Sequence, residues 1–86
     1  MKKLQQLRRQ GRENLLSVLP IVELVGKSRL LIENHQGVLS YSTKEIRIKV
    51  SYGCVIASGE NLQLMEMSRV KLAICGIIDG LQILGR

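Results

Sequence analysis

The residues best suited to nucleophilic or acid–base chemistry are one imidazole, His35, and two thiols, Cys54 and Cys75. A general base needs a nucleophile and an orienting acid within hydrogen-bond reach. Nothing near His35 or Cys54 in sequence supplies them, and no helix N-terminus is in sight to activate a thiol. The sequence predicts an exposed turn histidine and two thiols packed in strands. A Cys54–Cys75 disulfide would need their strands to pair. The chain shows no export signal, which favours reduced thiols. One His and two well-separated Cys do not make the usual ligand set of a zinc site. Gly53, Gly59, Gly76 and Gly80 do not form a phosphate loop, because no Lys-Ser or Lys-Thr follows at the required spacing and no helix follows to supply a dipole. They read as turn and bulge glycines. No catalytic residue, metal site or cofactor is expected, and the reading is of a protein that is not an enzyme.

Interaction chemistry is better represented. The chain has 86 residues, with 13 Lys and Arg against seven Asp and Glu, a formal net charge of +6. Lys2, Lys3, Arg8, Arg9 and Arg12 face only Glu13 within residues 1–19, so most of the excess lies there. Leu4, Leu7, Leu15 and Val18 recur at roughly helical spacing, which predicts a basic N-terminal tail or amphipathic helix. Gly11 weakens it, and Pro20 closes it. Such a segment suits an anionic surface, either a membrane leaflet or nucleic acid, or else is a solvated terminus. Arg29, Tyr41 and Tyr52 are further candidate contacts, since Tyr and Arg anchor interfaces. Packing is the alternative use of the two tyrosines. Lys and Arg on strands also discourage edge-to-edge aggregation.

The elements that carry these residues read as strands. One domain is expected at this length, with residues 20–86 forming it. Hydrophobic residues make up 45% of the chain, which excludes simple disorder. There are two Tyr, no Phe and no Trp, which argues against a stacking platform for single-stranded nucleic acid. No apolar run approaches the length of a membrane-spanning helix. Ile46, Ile48 and Val50 alternate with Arg47 and Lys49, a half-buried strand. Leu62 and Leu64 are expected to share a face with Glu66, with Met65 and Met67 opposite. Seven or eight short strands are expected at 21–25, 29–34, 38–42, 45–51, 54–58, 62–67, 70–75 and 77–83.

Turn residues separate the runs. Asn34-His35-Gln36-Gly37 reads as a tight hairpin turn, and Tyr52-Gly53 and Gly59-Glu60-Asn61 as further breaks. Asn34, Gly37, Gly53, Gly59, Asn61 and Gly76 are the expected structural turn positions. Asp79-Gly80 is expected to be a bulge within one terminal strand rather than a hairpin. Short links force antiparallel pairing. The expected fold is therefore all-β, an antiparallel meander forming a curved sheet or a small roll or sandwich. Several strands are apolar on both faces, so a second copy of the chain or a partner protein is expected to cover one of them.

An ordered set of residues goes further. Arg29-Leu-Leu-Ile-Glu33-Asn34, Gly37-Val-Leu-Ser-Tyr41-Ser42, Glu45-Ile-Arg-Ile-Lys-Val50, Tyr52-Gly53, Ser58-Gly59-Glu60-Asn61-Leu62 and Gly76-Ile77 follow one another. This order resembles the YabP/YqfC family of sporulation proteins, closest to the YqfC branch, over roughly residues 20–84. The resemblance implies a mother-cell protein of endospore formation with no known enzymatic activity. It also implies a larger membrane-associated partner resembling YqfD. The expectation is a scaffold or interaction module, cytoplasmic and peripheral to the membrane around the forespore, and a homo-oligomer. A nucleic-acid-binding β-module is the rival expectation.

Overall fold

The computed structural model describes residues 19–85. The expected basic tail or helix, with Lys2, Lys3, Arg8, Arg9 and Arg12, lies outside the described residues. Six strands follow in order: β1 (Ile21–Val25), β2 (Arg29–Glu33), β3 (Val38–Tyr41), β4 (Glu45–Val50), β5 (Gly53–Met67) and β6 (Lys71–Gly85). All pairings are antiparallel, in one sheet ordered β1-β2-β6-β5-β4-β3. There is no helix among the described residues. The expected all-β, antiparallel class is the observed one.

The strand count is six rather than seven or eight, because two pairs of expected strands are each one long strand. β5 and β6 have 15 residues each. Laid flat, such a strand would span roughly 50 Å, more than the molecule's longest extent of 43 Å. The long pair must bend. It does so where its register slips, between Ser58 and Gly59 and again between Glu60 and Gln63, with a third slip between Leu64 and Glu66. Gly59-Glu60-Asn61 is thus a bulged crease inside β5 rather than a break between strands. Opposite it, Asp79 is skipped between Gly80 and Ile78, the bulge expected at Asp79-Gly80. Bulges interrupt alternation without reversing the chain, so they resemble turns in sequence. The slip at Met65 also corrects the expected faces. Leu64 pairs with Ile74, but Glu66 pairs with Ala73 and so no longer shares its face.

The crease requires glycine. A Cβ on Gly59 would run into the Ile77 carbonyl oxygen, and one on Gly76, at φ +133°, would come within 2.6 Å of the Asn61 carbonyl oxygen. Backbone meets backbone there, so neither side can yield.

Bending divides the sheet into two halves. One contains β1, β2, residues 71–75 of β6 and residues 63–67 of β5. The other contains β3, β4, residues 53–58 of β5 and residues 80–85 of β6. Leu30, Ile32, Leu72 and Ile74 of the first half join Ile46, Ile48, Val50, Val55 and Ala57 of the second in one buried cluster, with Leu62 and Ile78 beside the crease. Burying each large aliphatic side chain contributes about 2 kcal/mol.

The meander order is corrected at one point. Asn34-His35-Gln36-Gly37 is not a hairpin turn: β2 pairs with β6 and β3 with β4. These residues step from one half to the other. Four residues reach at most about 14 Å, enough to cross the roughly 10 Å between packed sheets. The step is held by backbone bonds from Asn34 N to Val70 O (2.6 Å), Gln36 N to Lys49 O (2.7 Å) and Lys49 N to Gly37 O (2.8 Å). Asn34 takes φ 64°, a left-handed conformation that Asn tolerates well.

Candidate interaction surface

His35 is buried, which corrects the expected exposed turn histidine. Both ring nitrogens are engaged. Nε2 lies 2.9 Å from the Ser68 carbonyl oxygen, and Nδ1 accepts from the Gly37 N–H at 3.0 Å. A carbonyl can only accept and a backbone N–H can only donate, so the two bonds together call for the tautomer with its proton on Nε2. No lone pair is left to act as a base. The imidazole instead ties the β2–β3 step to the β5–β6 turn.

The thiols are both free and half-buried. Cys54 stands opposite Lys49 and Leu84 in the second half, and Cys75 opposite Arg29 and Gln63 in the first. Their strand positions do not pair, so the geometry offers no disulfide between them. Among the described residues no three His, Cys, Asp or Glu side chains are grouped as a metal would require.

The remaining candidates are scattered. Arg29 lies on the outward face of β2 between Val25 and Cys75. Tyr41 ends β3 opposite Ile46, and Tyr52 sits in the β4–β5 turn at the other end of β4. Both tyrosines are exposed, but the sheet does not bring them together. Asn34, Gly37, Gly53, Asn61 and Gly76 all have positive φ, whereas Gly59 is held by close contact instead.

A further surface, on a strand expected to be apolar on both faces, lies on the first half. Leu30 and Ile32 point inward, so Leu31 points outward with Arg29 and Glu33. Across the ladder, Ile21, Glu23 and Val25 share that outward face through their pairing with Glu33, Leu31 and Arg29. Ile21 is 53% exposed and Val25 46%. A shallow cleft of about 240 Å³ opens beside them, lined by Leu31, Glu33, Glu66, Lys71 and Ala73. Among the described residues β1 is the outermost strand, so one row of its backbone N–H and C=O groups faces away from the sheet. The signal was present in the sequence, in the unbroken apolar run Leu30-Leu31-Ile32.

The second half is different. Its outward face carries Glu45, Arg47 and Lys49 on β4. Arg47 Nε lies 3.3 Å from Glu45 Oε1, both side chains nearly half exposed, a pair that solvent screens. A second cleft of about 490 Å³ is bounded by Leu39, Lys49, Val50, Gly53, Cys54, Leu84 and Gly85. Among the described residues its only charged group is Lys49.

The YabP family model matches residues 20–86, which takes in the whole described sheet. The uncharacterized protein YqfC of Bacillus subtilis (strain 168) is 34% identical over 61 residues. That alignment covers 71% of this chain and 66% of the relative, just under two thirds of its length. No solved structure matches the chain significantly. On the family match and this identity, the chain belongs to the YabP family.

Proposed function

We propose that this protein is a non-catalytic interaction module of endospore formation that docks onto a membrane-associated partner. Membership of the YabP family fits a sporulation protein. The observation that carries the docking reading is the outer face of the β1–β2 half. Ile21 and Val25 stand exposed there beside a cleft and a strand edge that is unpaired among the described residues. An extended partner segment can add to such an edge by main-chain hydrogen bonds while its side chains occupy the adjoining face. Catalysis would need convergent acid–base groups. The single imidazole is instead spent on two structural hydrogen bonds.

The partner in this reading is a YqfD-like membrane protein, and the site of action is the mother-cell side of the membrane around the forespore. Self-association belongs to the same reading, because β3 at the opposite edge is also unpaired among the described residues. An edge-to-edge contact between different strands need not close and can grow into a ring or filament.

The test is co-expression of the full chain with the membrane partner, followed by pull-down and light scattering. Stoichiometric co-purification that an Ile21→Glu/Val25→Glu variant loses, with unchanged folding, is the expected result. Co-purification indifferent to that variant would reject this face. A protein that ignores the partner but binds RNA or DNA in a salt-sensitive way would establish the rival nucleic-acid module.

A further inference from the structure

The crease leaves the sheet with more open edges than its strand order suggests. β2 pairs with residues 71–75 of β6, and β4 with residues 53–58 of β5. Among the described residues, residues 80–85 of β6 and 63–67 of β5 therefore have a strand on one side alone, as β1 and β3 do. Three of these four edges carry features that discourage pairing with another chain. β3 has four residues and a register slip between Val38 and Ser40, with Arg47 in register behind Ser40. The β5 edge has the slip at Met65 and carries Glu66. β1 is straight but holds Glu23 at its centre, so a two-fold pairing along its length would set carboxylate against carboxylate.

The β6 edge has none of these features. Residues 80–85 pair with residues 53–58 in six consecutive steps without a slip. Neither stretch contains a charged residue. Gln82, Ile83, Leu84 and Gly85 are exposed in succession. Ile83 stands opposite the fully buried Val55 and so faces the inner side of the sheet, yet it is 53% exposed. An inward aliphatic side chain is thus left half in solvent at an edge with no strand beyond it among the described residues. Leu84, on the outer side with Cys54 and Lys49, is 44% exposed.

We infer that two copies of the chain join along this edge, antiparallel, about a two-fold axis at Ile83. In that register Ile83 meets its own counterpart on the inner side, Leu81 meets Gly85, and Gln82 meets Leu84 on the outer side. The pairing brings no like charges together, and it is self-complementary, as a two-fold contact between identical copies must be. The backbone groups of β6 that face away from β5 gain partners, and the second halves of the two copies become one continuous sheet. An uncharged edge gives a charged partner nothing to pair with, whereas a second copy offers the matching apolar side chain at the matching place. Such a contact closes at a dimer, unlike a contact between different edges, which can grow. It lies on the other half of the sheet from Ile21 and Val25, so it does not rest on the docking reading.

The experiment is sedimentation velocity of the full chain over a range of concentrations, beside Ile83→Lys and Ile83→Glu measured singly and mixed. The full chain should sediment as a dimer. Each variant should raise the dimer dissociation constant by about tenfold or more, because like charges then stand opposite one another. An equimolar mixture of the two should recover the dimer, since opposite charges meet at the axis. Mixing would not rescue a side chain that merely supported the fold. Gln82→Lys/Leu84→Lys changes two exposed outward positions, and it should break the dimer with the circular dichroism and thermal unfolding unchanged. A monomeric full chain, a dimer that survives these variants, a mixture that stays monomeric, or an assembly that keeps growing with concentration would overturn the inference. Ile21→Glu/Val25→Glu separates the two proposals, since it should lose the membrane partner and keep the dimer. Partner capture by a monomeric chain would reject the dimer alone.

Discussion

The two halves of the folded sheet are built alike and finished differently. Each is a short hairpin laid against one stretch of the long β5–β6 pair. The hairpin turns dock on the crease in corresponding ways. Gly76 N and Ile78 N donate to Ser28 O and Lys27 O of the β1–β2 turn, at 3.2 and 2.7 Å. Gly59 N and Leu62 N donate to Lys44 O and Thr43 O of the β3–β4 turn, at 2.9 and 2.8 Å. At the crease between them, Gly59 and Gly76 each sit where only a hydrogen fits against the opposite backbone. The inner faces match too, with fully buried Leu and Ile on β2 facing fully buried Ile and Val on β4. The outer faces do not. β4 turns Glu45, Arg47 and Lys49 to solvent, with Leu84 exposed in register beyond Lys49 and Cys54, whereas β1 and β2 alternate exposed Ile21 and Val25 and half-buried Leu31 with Glu23, Arg29 and Glu33. Folding accounts for what the halves share. What they do not share needs a reason other than folding.

The crease is where the common plan should break most severely. Gly59→Ala and Gly76→Ala each drive a methyl group into a carbonyl of the facing strand, and Gly76→Ala also strains a positive φ. Each should cost on the order of 4 kcal/mol or more, at the extreme of single substitutions. Gly80→Ala is the control, because its methyl would meet only the Ser58 side-chain oxygen at 2.6 Å, a group that can rotate away. Urea titration followed by circular dichroism should place the Gly80 variant near the parent and leave the other two largely unfolded. A mild effect at Gly59 would mean that the crease relaxes and the two halves are not locked to one geometry.

Next come matched deletions in the core. Leu30→Ala and Ile48→Ala remove fully buried side chains from opposite halves. Each should lose about 2–5 kcal/mol, transfer and cavity contributions together. Since both residues belong to one cluster, the costs should be similar and the unfolding transitions should stay single. A transition that splits in one variant only would show that the halves unfold separately.

How far the sequence announced these halves depends on the element. β4 was plain, because Ile46, Ile48 and Val50 alternate with charged residues and the structure buries those three. β5 and β6 were each read as two strands, since Gly59-Glu60-Asn61 and Asp79-Gly80 have turn composition and only the partner strand's register shows that the chain runs on. Strand order was hidden for the same reason. β2 reaches β6 only once the crease has folded the sheet, and no local pattern encodes that. Among the candidate contacts, Arg29, Tyr41 and Tyr52 were chosen by residue type and lie apart. Ile21 and Val25 were passed over because an exposed aliphatic side chain looks in sequence like a core one.

His35 links the halves without belonging to either. His35→Ala would remove a buried ring together with its two part-buried hydrogen bonds, to the Ser68 carbonyl and from the Gly37 N–H, at a cost of about 1–3 kcal/mol. The loss is expected to be local, so amide hydrogen exchange should quicken at residues 34–37 and in the β5–β6 turn before it does in the core. Uniform acceleration throughout the sheet would instead make the imidazole part of the global fold.

The smallest effect carries the sharpest reading of the comparison. Val25→Lys replaces an exposed apolar residue on the outward face of an edge strand, opposite Arg29. Arg47→Ala removes half of an exposed ion pair at an equally outward position of the other half. Surface positions of this kind usually move stability by no more than about 0.5 kcal/mol, and a lysine is a common occupant of edge strands. If both variants melt with the parent, β1 could have carried a charged face like that of β4 and still folded. Its apolar residues would then be retained for contact with something outside the chain. A loss above about 1 kcal/mol for Val25→Lys, beyond the mild repulsion of Arg29, would assign the apolar face to folding and remove the observation on which the docking reading stands.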